Sequence, residues 1–319
     1  MTQRNVASMA LVDTVVVTGG AGFIGSHVVD GVLGEGRRAV VVDDLSSGKA
    51  ENVASDADLE VIDVVDAAAL DKVIDAASPS AIFHLAAQAS VTASVADPTR
   101  DATVNVIGTL NVLEAARRHR APVVFTSTGG ALYGDAAPRP TPETFTPSPL
   151  SPYGASKWAA EAYVRTWANA SGLGHAVCRL GNVYGPRQSP HGEAGVVSIL
   201  SNQLWQGNSP TLYGDGRPTR DYIHVLDVVT ALLAARGVND VFNVATGREA
   251  AVFEIFELLA AASRASVSPH LAPLRPGELE HSCLDPSHAQ RRLGWRAEIE
   301  LEDGVPATYR ELVAQFSAA

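Results

Sequence analysis

Residues 15–27, with the sequence VVVTGGAGFIGSH, constrain the fold of this chain more than any other stretch. The β-branched run at its start predicts a short buried strand, and the glycine-rich turn predicts a helix that begins near Phe23. A strand that turns so tightly into a helix is typical of the first half of a β-α-β unit. The glycines recur at every third position: Gly19, Gly22 and Gly25.

This glycine spacing is the pattern of a dinucleotide site. The first glycine permits the turn, the second lets the backbone approach a pyrophosphate, and the third lets helix and strand pack closely. The positive end of the helix then faces the phosphate charge. A second strand is predicted at residues 39–42, and Asp43 follows it, about twenty residues after the glycines. Because its carboxylate can bind a ribose 2′-hydroxyl and would repel a 2′-phosphate, the sequence favours NAD over NADP.

Strand and helix signals continue to alternate beyond Asp43. This alternation predicts an α/β fold, a doubly wound parallel sheet (Rossmann) that binds ligands at the C-terminal ends of its strands. The pattern loosens after residue 181, so we predict an NAD-binding domain at 1–181 and a smaller α/β substrate domain at 182–319, with the chain crossing back near 222–245. The remaining predicted elements of the first domain are strands at 59–62, 81–84, 122–126 and 175–180 and helices at 67–77, 98–119 and 152–170.

The net charge, the cysteines and the absence of long apolar runs limit the kinds of partner and the location that we expect for this chain. The 319 residues are 46% hydrophobic and carry a formal net charge of -11, which leaves no basic face for nucleic acid or an anionic membrane. Cys178 and Cys283 lie far apart without partner spacing, so we expect neither a disulfide framework nor a metal site. With no signal-peptide pattern and no apolar run of about 18 residues, we expect a cytoplasmic protein without a membrane span.

The segment SPYGASK at residues 151–157 carries the second strong signal. Ser151 is a good N-cap and Pro152 suits a first helical turn, so Tyr153 and Lys157 share one helix face. An ammonium beside a phenol favours the phenolate, so we expect the pKa of Tyr153 to fall from about 10 toward working pH. The sequence therefore predicts Tyr153 as general base, with Lys157 as its activator and as a ligand for a ribose hydroxyl.

A third catalytic group is expected at the end of the strand predicted before residue 127. Hydroxyls at the C-terminal end of a parallel strand face the crevice, where one can hydrogen-bond a substrate oxygen as it becomes a carbonyl. Ser127 and Thr128 are the candidates. The alternative is that both hydroxyls only satisfy backbone groups in a turn.

Taken together, these motifs resemble an extended short-chain dehydrogenase/reductase of the NAD-dependent epimerase/dehydratase family, nearest to the bacterial UDP-glucose (UDP-galactose) 4-epimerases. The resemblance runs from residue 15 to about 309. Nucleotide-sugar 4-epimerases are favoured in particular by TSTGGALYG at 126–134, NVYGPRQ at 182–188 with EAGVV at 193–197, and RPGE at 275–278. Further matches are HLAA at 84–87, VNVIGTLN at 104–111 and GDGRPTRDYIHV at 214–225.

The resemblance implies two sets of ligands, and a homodimer formed through the helices near 98–119 and 152–170. NAD would be held by the glycines already named and by Phe23, Ile24, Asp43, Asp63, Val64, Leu85, Ala86, Ala87, Asn105, Tyr153 and Lys157. The nucleoside diphosphate and sugar of the substrate would be held by Thr128, Asn182, Ala194, Gly195, Val196, Val197, Arg220, Arg275, Glu278 and Ser282.

The chain departs from the family pattern at three of these places. Gly129 stands where many members have a serine four residues before the strand-end tyrosine, so we expect Thr128 to act instead, with Ser127 in reserve. Glu278 stands where aspartate is common. Ser282 is a small residue at a position that walls the sugar pocket, which leads us to the hypothesis that UDP-GlcNAc is a substrate as well as UDP-glucose.

The implied reaction is 4-epimerisation of a UDP-hexose through a 4-keto sugar with NAD as cofactor, an isomerase activity. A 4,6-dehydratase is disfavoured because Gly129 and Gly130 replace the Asp-Glu pair that family comparison places after the strand-end threonine. A UDP-glucuronate 4-epimerase or decarboxylase needs donors for the sugar carboxylate, and Arg187 is a candidate. The alternative without catalysis is a nucleotide-sugar or NAD sensor on the same fold. The preference for UDP over dTDP stays open.

Overall fold

The computed structural model describes residues 13–191, 195–274 and 279–318. Its main element is a seven-stranded sheet in which every pair of neighbours is parallel. The strands are β1 (Thr14–Thr18), β2 (Arg38–Asp43), β3 (Asp58–Val61), β4 (Ala81–His84), β5 (Val123–Thr128), β6 (Ala176–Leu180) and β10 (Asp240–Val244), in the order β10-β6-β5-β4-β1-β2-β3.

Helices cover both faces of this sheet, as a parallel sheet requires, because its strands are apolar on both sides. One core lies under α1 (Phe23–Gly34), α8 (Val225–Ala235) and α10 (Ser287–Leu293). The opposite core lies under α2 (Ala67–Ala77), α5 (Gly108–His119) and α6 (Pro152–Ser171). The shorter helices α3 (Val91–Ala96) and α4 (Pro98–Ala102) precede a single π-helical turn at Thr103–Ile107.

A smaller region lies beyond the C-terminal ends of the strands. Its three-stranded sheet joins β7 (Asn182–Tyr184), β9 (Thr219–His224) and β11 (Glu249–Ala251), and β8 (Thr211–Tyr213) pairs with β12 (His270–Ala272). Leucine, valine and aromatic side chains of three helices form its separate core. These helices are α7 (Val196–Trp205), α9 (Val252–Ser263) and α11 (Leu301–Ala318).

The predicted α/β fold is confirmed, and the strands and helices predicted before residue 181 are present within a few residues of their expected bounds. The sequence missed α3, and it read residues 98–119 as one helix, whereas a π turn separates α4 from α5. After the small region begins, β10 joins the main sheet beside β6, whereas β9 belongs to the small sheet. The division at 181/182 stays a prediction.

Candidate active site

The crevice begins where the strand order reverses. From β1 the sheet continues through β2 in one direction and through β4 in the other, and such a switch point is where doubly wound sheets bind ligands. Gly19 follows β1 with a φ of 71°, a conformation that other residues rarely adopt. A Cβ on Gly19 would lie 2.5 Å from the backbone nitrogen of Ala86, and a Cβ on Gly25 would overlap the Gly19 carbonyl oxygen. The turn therefore packs directly against the end of β4.

Asp43, the last residue of β2, holds the other side of this turn. Its Oδ2 accepts a hydrogen bond from the Ala21 backbone nitrogen at 2.9 Å, and Oδ1 accepts one from Leu45 at 2.9 Å. Burial raises the pKa of this carboxyl above its usual value, while the two backbone donors act in the opposite direction. A carboxylate has about four lone-pair positions, so acceptor capacity remains for a ribose hydroxyl.

The other residues expected around the cofactor lie at the start of α1 and just beyond β3 and β4. Asp63 is exposed just beyond β3 and caps its own turn by accepting from Val65. The chain turns at Gly22 into α1, whose first residues are half-buried. The remaining positions are Phe23 and Ile24 at the start of α1, buried Val64, and half-buried Leu85, Ala86 and Ala87 after β4.

His84 fixes the end of β4. The Thr109 hydroxyl donates its proton to the Asn105 carbonyl at 2.6 Å, so it must accept from His84 Nε2, which lies 3.0 Å away. His84 Nδ1 then accepts from the Thr18 hydroxyl at 2.7 Å. Burial, with a smaller effect from nearby Lys157, lowers the pKa of His84 to about 3, so this ring is neutral at physiological pH.

Asn105 lies in the π turn and is 1% exposed. Its side chain exchanges hydrogen bonds of 2.9 Å with the backbone of Gln88 and also donates to Ser156 in α6 at 3.0 Å. Asn105 therefore joins the loop after β4 to the helix that carries Tyr153 and Lys157. π turns are frequent at functional sites.

Tyr153 and Lys157 lie one turn apart near the start of α6, where the Ser151 hydroxyl accepts the expected capping bond from Gly154. The Thr128 hydroxyl lies close enough to the Tyr153 phenol to lower its pKa by hydrogen bonding. Ser127 is 4% exposed, and its hydroxyl has no hydrogen-bond partner among the residues that the structure describes. Thr128, rather than Ser127, thus reaches the phenol.

Gly129 has room for a side chain only if Leu284 shifts. A Cβ at this position would overlap the side chain of Leu284, which comes from the C-terminal part of the chain and packs over the end of β5. The space for a residue 129 side chain is therefore already filled.

The expected lowering of the Tyr153 pKa is wrong for the chain by itself. Burial raises the pKa of Tyr153 to about 12, the charge of Asp101 adds to this rise, and the Thr128 hydrogen bond opposes it. Burial lowers the pKa of Lys157 to about 7, while Glu161 and Asp101 act in the opposite direction. The Lys157 ammonium also lies 4.2 Å from the centre of the Phe125 ring. Desolvation is the largest effect on both groups, and it favours the neutral phenol and the neutral amine.

The expected substrate ligands approach from the smaller region. The Asn182 side chain in β7 points toward Gly130, close to the end of β5. Gly195 caps α7, and Val196 and Val197 form its first residues, so their backbone N–H groups stand at the positive end of a helix. Ala194 lies outside the described residues.

Arg220 is held by backbone carbonyls. It donates to Thr219 and Leu279 at 2.8 Å each, and to Glu280 at 3.4 Å. Ser282 lies beside it, donating its backbone N–H to the Thr219 carbonyl at 3.1 Å. The predicted ligands Arg275 and Glu278 lie outside the described residues.

Three comparisons with known proteins agree with this geometry. A model described as NAD dependent epimerase/dehydratase family matches residues 15–245. The chain belongs to this family. It is 44% identical over 301 residues to a UDP-glucose 4-epimerase of Mycolicibacterium smegmatis. The matched region covers 92% of this chain and 96% of that protein.

Two solved structures resemble this family member over nearly their whole length. A UDP-glucose 4-epimerase of Thermotoga maritima, crystallised with UDP-glucose, is 43% identical with a TM-score of 0.92, covering 95% of this chain and 99% of that one. A UDP-N-acetylglucosamine 4-epimerase of Methanobrevibacter ruminantium is 32% identical with a TM-score of 0.88, covering 96% and 99%.

Within this epimerase/dehydratase fold, sequence reasoning missed a buried ion pair behind the catalytic helix. Arg179 of β6 binds Glu161 of α6 through both Nε and a terminal nitrogen, the latter at 2.6 Å, and also donates to the Tyr133 hydroxyl at 2.7 Å. It missed Asp101 as well, which precedes Asn105 by one helical turn. Arg187, considered for a sugar carboxylate, instead pairs with Asp30 of α1 at 2.8 Å.

Among the residues that the structure describes, metal-binding clusters and membrane-spanning helices are both absent. No group of three or more His, Cys, Asp or Glu side chains is arranged to hold a metal ion. Among the helices that the structure describes, none combines the length and apolar character that crossing a bilayer requires.

Proposed function

We propose that this chain is a UDP-glucose 4-epimerase, which interconverts UDP-glucose and UDP-galactose through a 4-keto sugar. One observation carries the proposal. Thr128, at the end of β5, acts on the Tyr153 phenol near the start of α6, in a chain that also carries the glycine turn after β1 and Arg220 on β9.

The residues of the crevice fit NAD. Gly19 packs closely against the backbone at the end of β4, and the glycines of this turn have no side chains that would block a pyrophosphate. The start of α1 would supply N–H donors to it. Asp43 would bind the adenosine ribose, and Lys157 and Asn105 would lie at the nicotinamide end. When bound, NAD supplies a reversible oxidant for the sugar C4 carbon.

Tyr153 acts as the base that removes the proton of the sugar 4-hydroxyl and returns it after the keto sugar has turned over. The Lys157 ammonium stabilises the phenolate, and the positive charge of the oxidised nicotinamide adds to this effect. Thr128 donates a hydrogen bond to the 4-oxygen as it gains carbonyl character. In this role the Thr128 hydroxyl serves both the phenol and the substrate.

The substrate diphosphate is held by fixed donors, since the overall charge of -11 provides no attraction for an anion. The first N–H groups of α7 and the guanidinium of Arg220 supply these donors, and Arg275 is expected to add to them. Asn182 would hydrogen-bond the substrate near the sugar.

A second substrate, UDP-GlcNAc, is favoured by Ser282. A small side chain at this position leaves room for an acetamido group, and a relative of known structure carries the name UDP-N-acetylglucosamine 4-epimerase. By contrast, the ion pair of Arg187 with Asp30 weakens the case for a glucuronate substrate.

We further propose a homodimer through α3, the π turn and α6. These elements carry exposed apolar side chains, including Val95, which is 65% exposed, and Ile107, Trp158 and Tyr163. Such side chains on neighbouring helices are typical of a protein interface. A cytoplasmic location stays a prediction, which the two free cysteines support.

Proton NMR of the purified protein, incubated separately with UDP-glucose, UDP-GlcNAc and UDP-glucuronate without added NAD, tests the proposal. We expect the anomeric signal of the 4-epimer with UDP-glucose, and a second with UDP-GlcNAc. No product from either, with conversion of UDP-glucuronate, would overturn the proposed substrates. Retained NAD with no reaction in any tube would favour a sensor.

A further inference from the structure

The carboxylate of Asp101 is buried beside the catalytic pair and has no role in the reaction as described so far. It lies in α4 and is 1% exposed. Its Oδ1 accepts hydrogen bonds from Gln88 Nε2 at 2.8 Å and from Asn105 Nδ2 at 3.1 Å. Its Oδ2 is also buried, and no described residue gives it a hydrogen bond. Leaving a buried carboxylate oxygen without a donor costs free energy, which points to a function for the charge.

Asp101 lies on α4, which packs against α6, and its charge raises the pKa of both Tyr153 and Lys157 on that helix. The second buried carboxylate near Lys157, Glu161, is bound by Arg179, which offsets its charge. The other titratable or charged groups facing this cluster are neutral His84 on β4 and, on the surface of α4 and at its N-cap, exposed Arg100 and Asp97.

We propose that Asp101 is a positioning residue that sets the charge balance of the Tyr153–Lys157 pair while clamping Gln88 and Asn105 around it. Its negative charge favours the Lys157 ammonium in a site where burial favours the neutral amine. The same charge disfavours the Tyr153 phenolate. Asp101 therefore shifts to higher pH the range over which both groups change their protonation state. This inference rests on the roles proposed above for Tyr153 and Lys157.

The test is Asp101→Asn, a substitution that keeps the shape and an oxygen for the Gln88 and Asn105 bonds but removes the charge. Removal of a negative charge lowers the pKa of a phenol and of an ammonium alike. We therefore expect both limbs of the pH profile of kcat to move to lower pH, by about one pH unit for a charge this close in a protein interior.

A second readout is independent of turnover. Ultraviolet difference spectroscopy of phenol ionisation, with Tyr153→Phe in the same background as the blank, should show Tyr153 titrating at lower pH in Asp101→Asn than in the unmodified protein. The matched control is Asp71→Asn on α2, which removes a half-buried carboxylate paired with Arg118 of α5 and should move neither readout.

An unmoved profile, or an equal loss of kcat at every pH, would overturn the charge role. Asp101→Ser, a smaller uncharged replacement, is the second variant in case asparagine is not tolerated. If neither variant folds, the carboxylate serves folding and the proposal is wrong. The two proposals can fail separately. Full activity in Tyr153→Phe would contradict the proposed role of Tyr153 as the base. An inactive Tyr153→Phe, together with an unchanged pH profile in Asp101→Asn, would contradict only the proposed role of Asp101.

Discussion

The turn after β1 and the loop around Arg220 are both expected to hold phosphates, but the chain builds them in different ways. The turn is continuous in sequence, and Asp43 closes it from the next strand through two backbone hydrogen bonds. The Arg220 site joins segments that lie about sixty residues apart, and the guanidinium itself binds the carbonyls of both. We call the turn after β1 with Asp43 the cofactor edge, and the loop around Arg220 the substrate edge. The cofactor edge is therefore held by contacts between segments close in sequence, whereas the substrate edge depends on contacts between distant segments.

The proposed catalytic residues belong to neither of these segments, and the largest effect is expected from them. Tyr153→Phe removes the proposed base and keeps the ring, so kcat should fall about a thousandfold, in the range for general acid–base groups. Retained NAD should be unchanged, because neither edge is altered. The measurement is epimerisation by NMR together with the NAD content of the purified protein.

The control for this variant is Tyr163→Phe, on the exposed side of the same helix. It should leave both quantities as they are. Turnover in Tyr153→Phe within tenfold of the unmodified protein would show that another group removes the proton.

Thr128→Val tests which strand-end hydroxyl serves the reaction. The substitution keeps the shape but removes the hydrogen bond to Tyr153, and kcat should fall about a hundredfold, as when one donor to a developing charge is lost. Ser127→Ala is the comparison, since that hydroxyl lacks a partner among the described residues and its loss should have little effect. The reverse ranking of these two variants in the same assay would assign the role to Ser127.

The contrast between the edges also explains how much the sequence could predict. The glycine turn, Asp43 and the Tyr153–Lys157 spacing are local patterns, so fold and cofactor type followed from them. The contact of Leu284 with Gly129 and the clamp of Asp101 on Gln88 depend on segments brought together only by the fold. The direction of the Tyr153 shift was wrong because burial and the charge of Asp101, which the Tyr153–Lys157 spacing does not show, both raise this pKa.

Asp43→Asn should weaken the cofactor edge alone. Asparagine offers one acceptor oxygen where the carboxylate serves both Ala21 and Leu45, so a backbone donor loses its partner. The dissociation constant for NAD should rise about thirtyfold, equivalent to about 2 kcal/mol. Calorimetry should show unchanged affinity for UDP. Asp44→Asn alters the exposed neighbouring carboxylate and should have no such effect, and equal losses in the two variants would exclude a specific role for Asp43.

Arg220→Lys is expected to give the smallest effect and to act on the substrate edge alone. Lysine keeps the charge but cannot hold the carbonyls of Thr219 and Leu279 while presenting a planar fork to a diphosphate. Affinity for UDP should fall about tenfold, and affinity for NAD should not change. Arg217→Lys, at an exposed position in the same segment, is the matched control. If Arg220→Lys weakened NAD and UDP equally, the two edges would be coupled, because the loop that holds Arg220 would then also support the turn after β1.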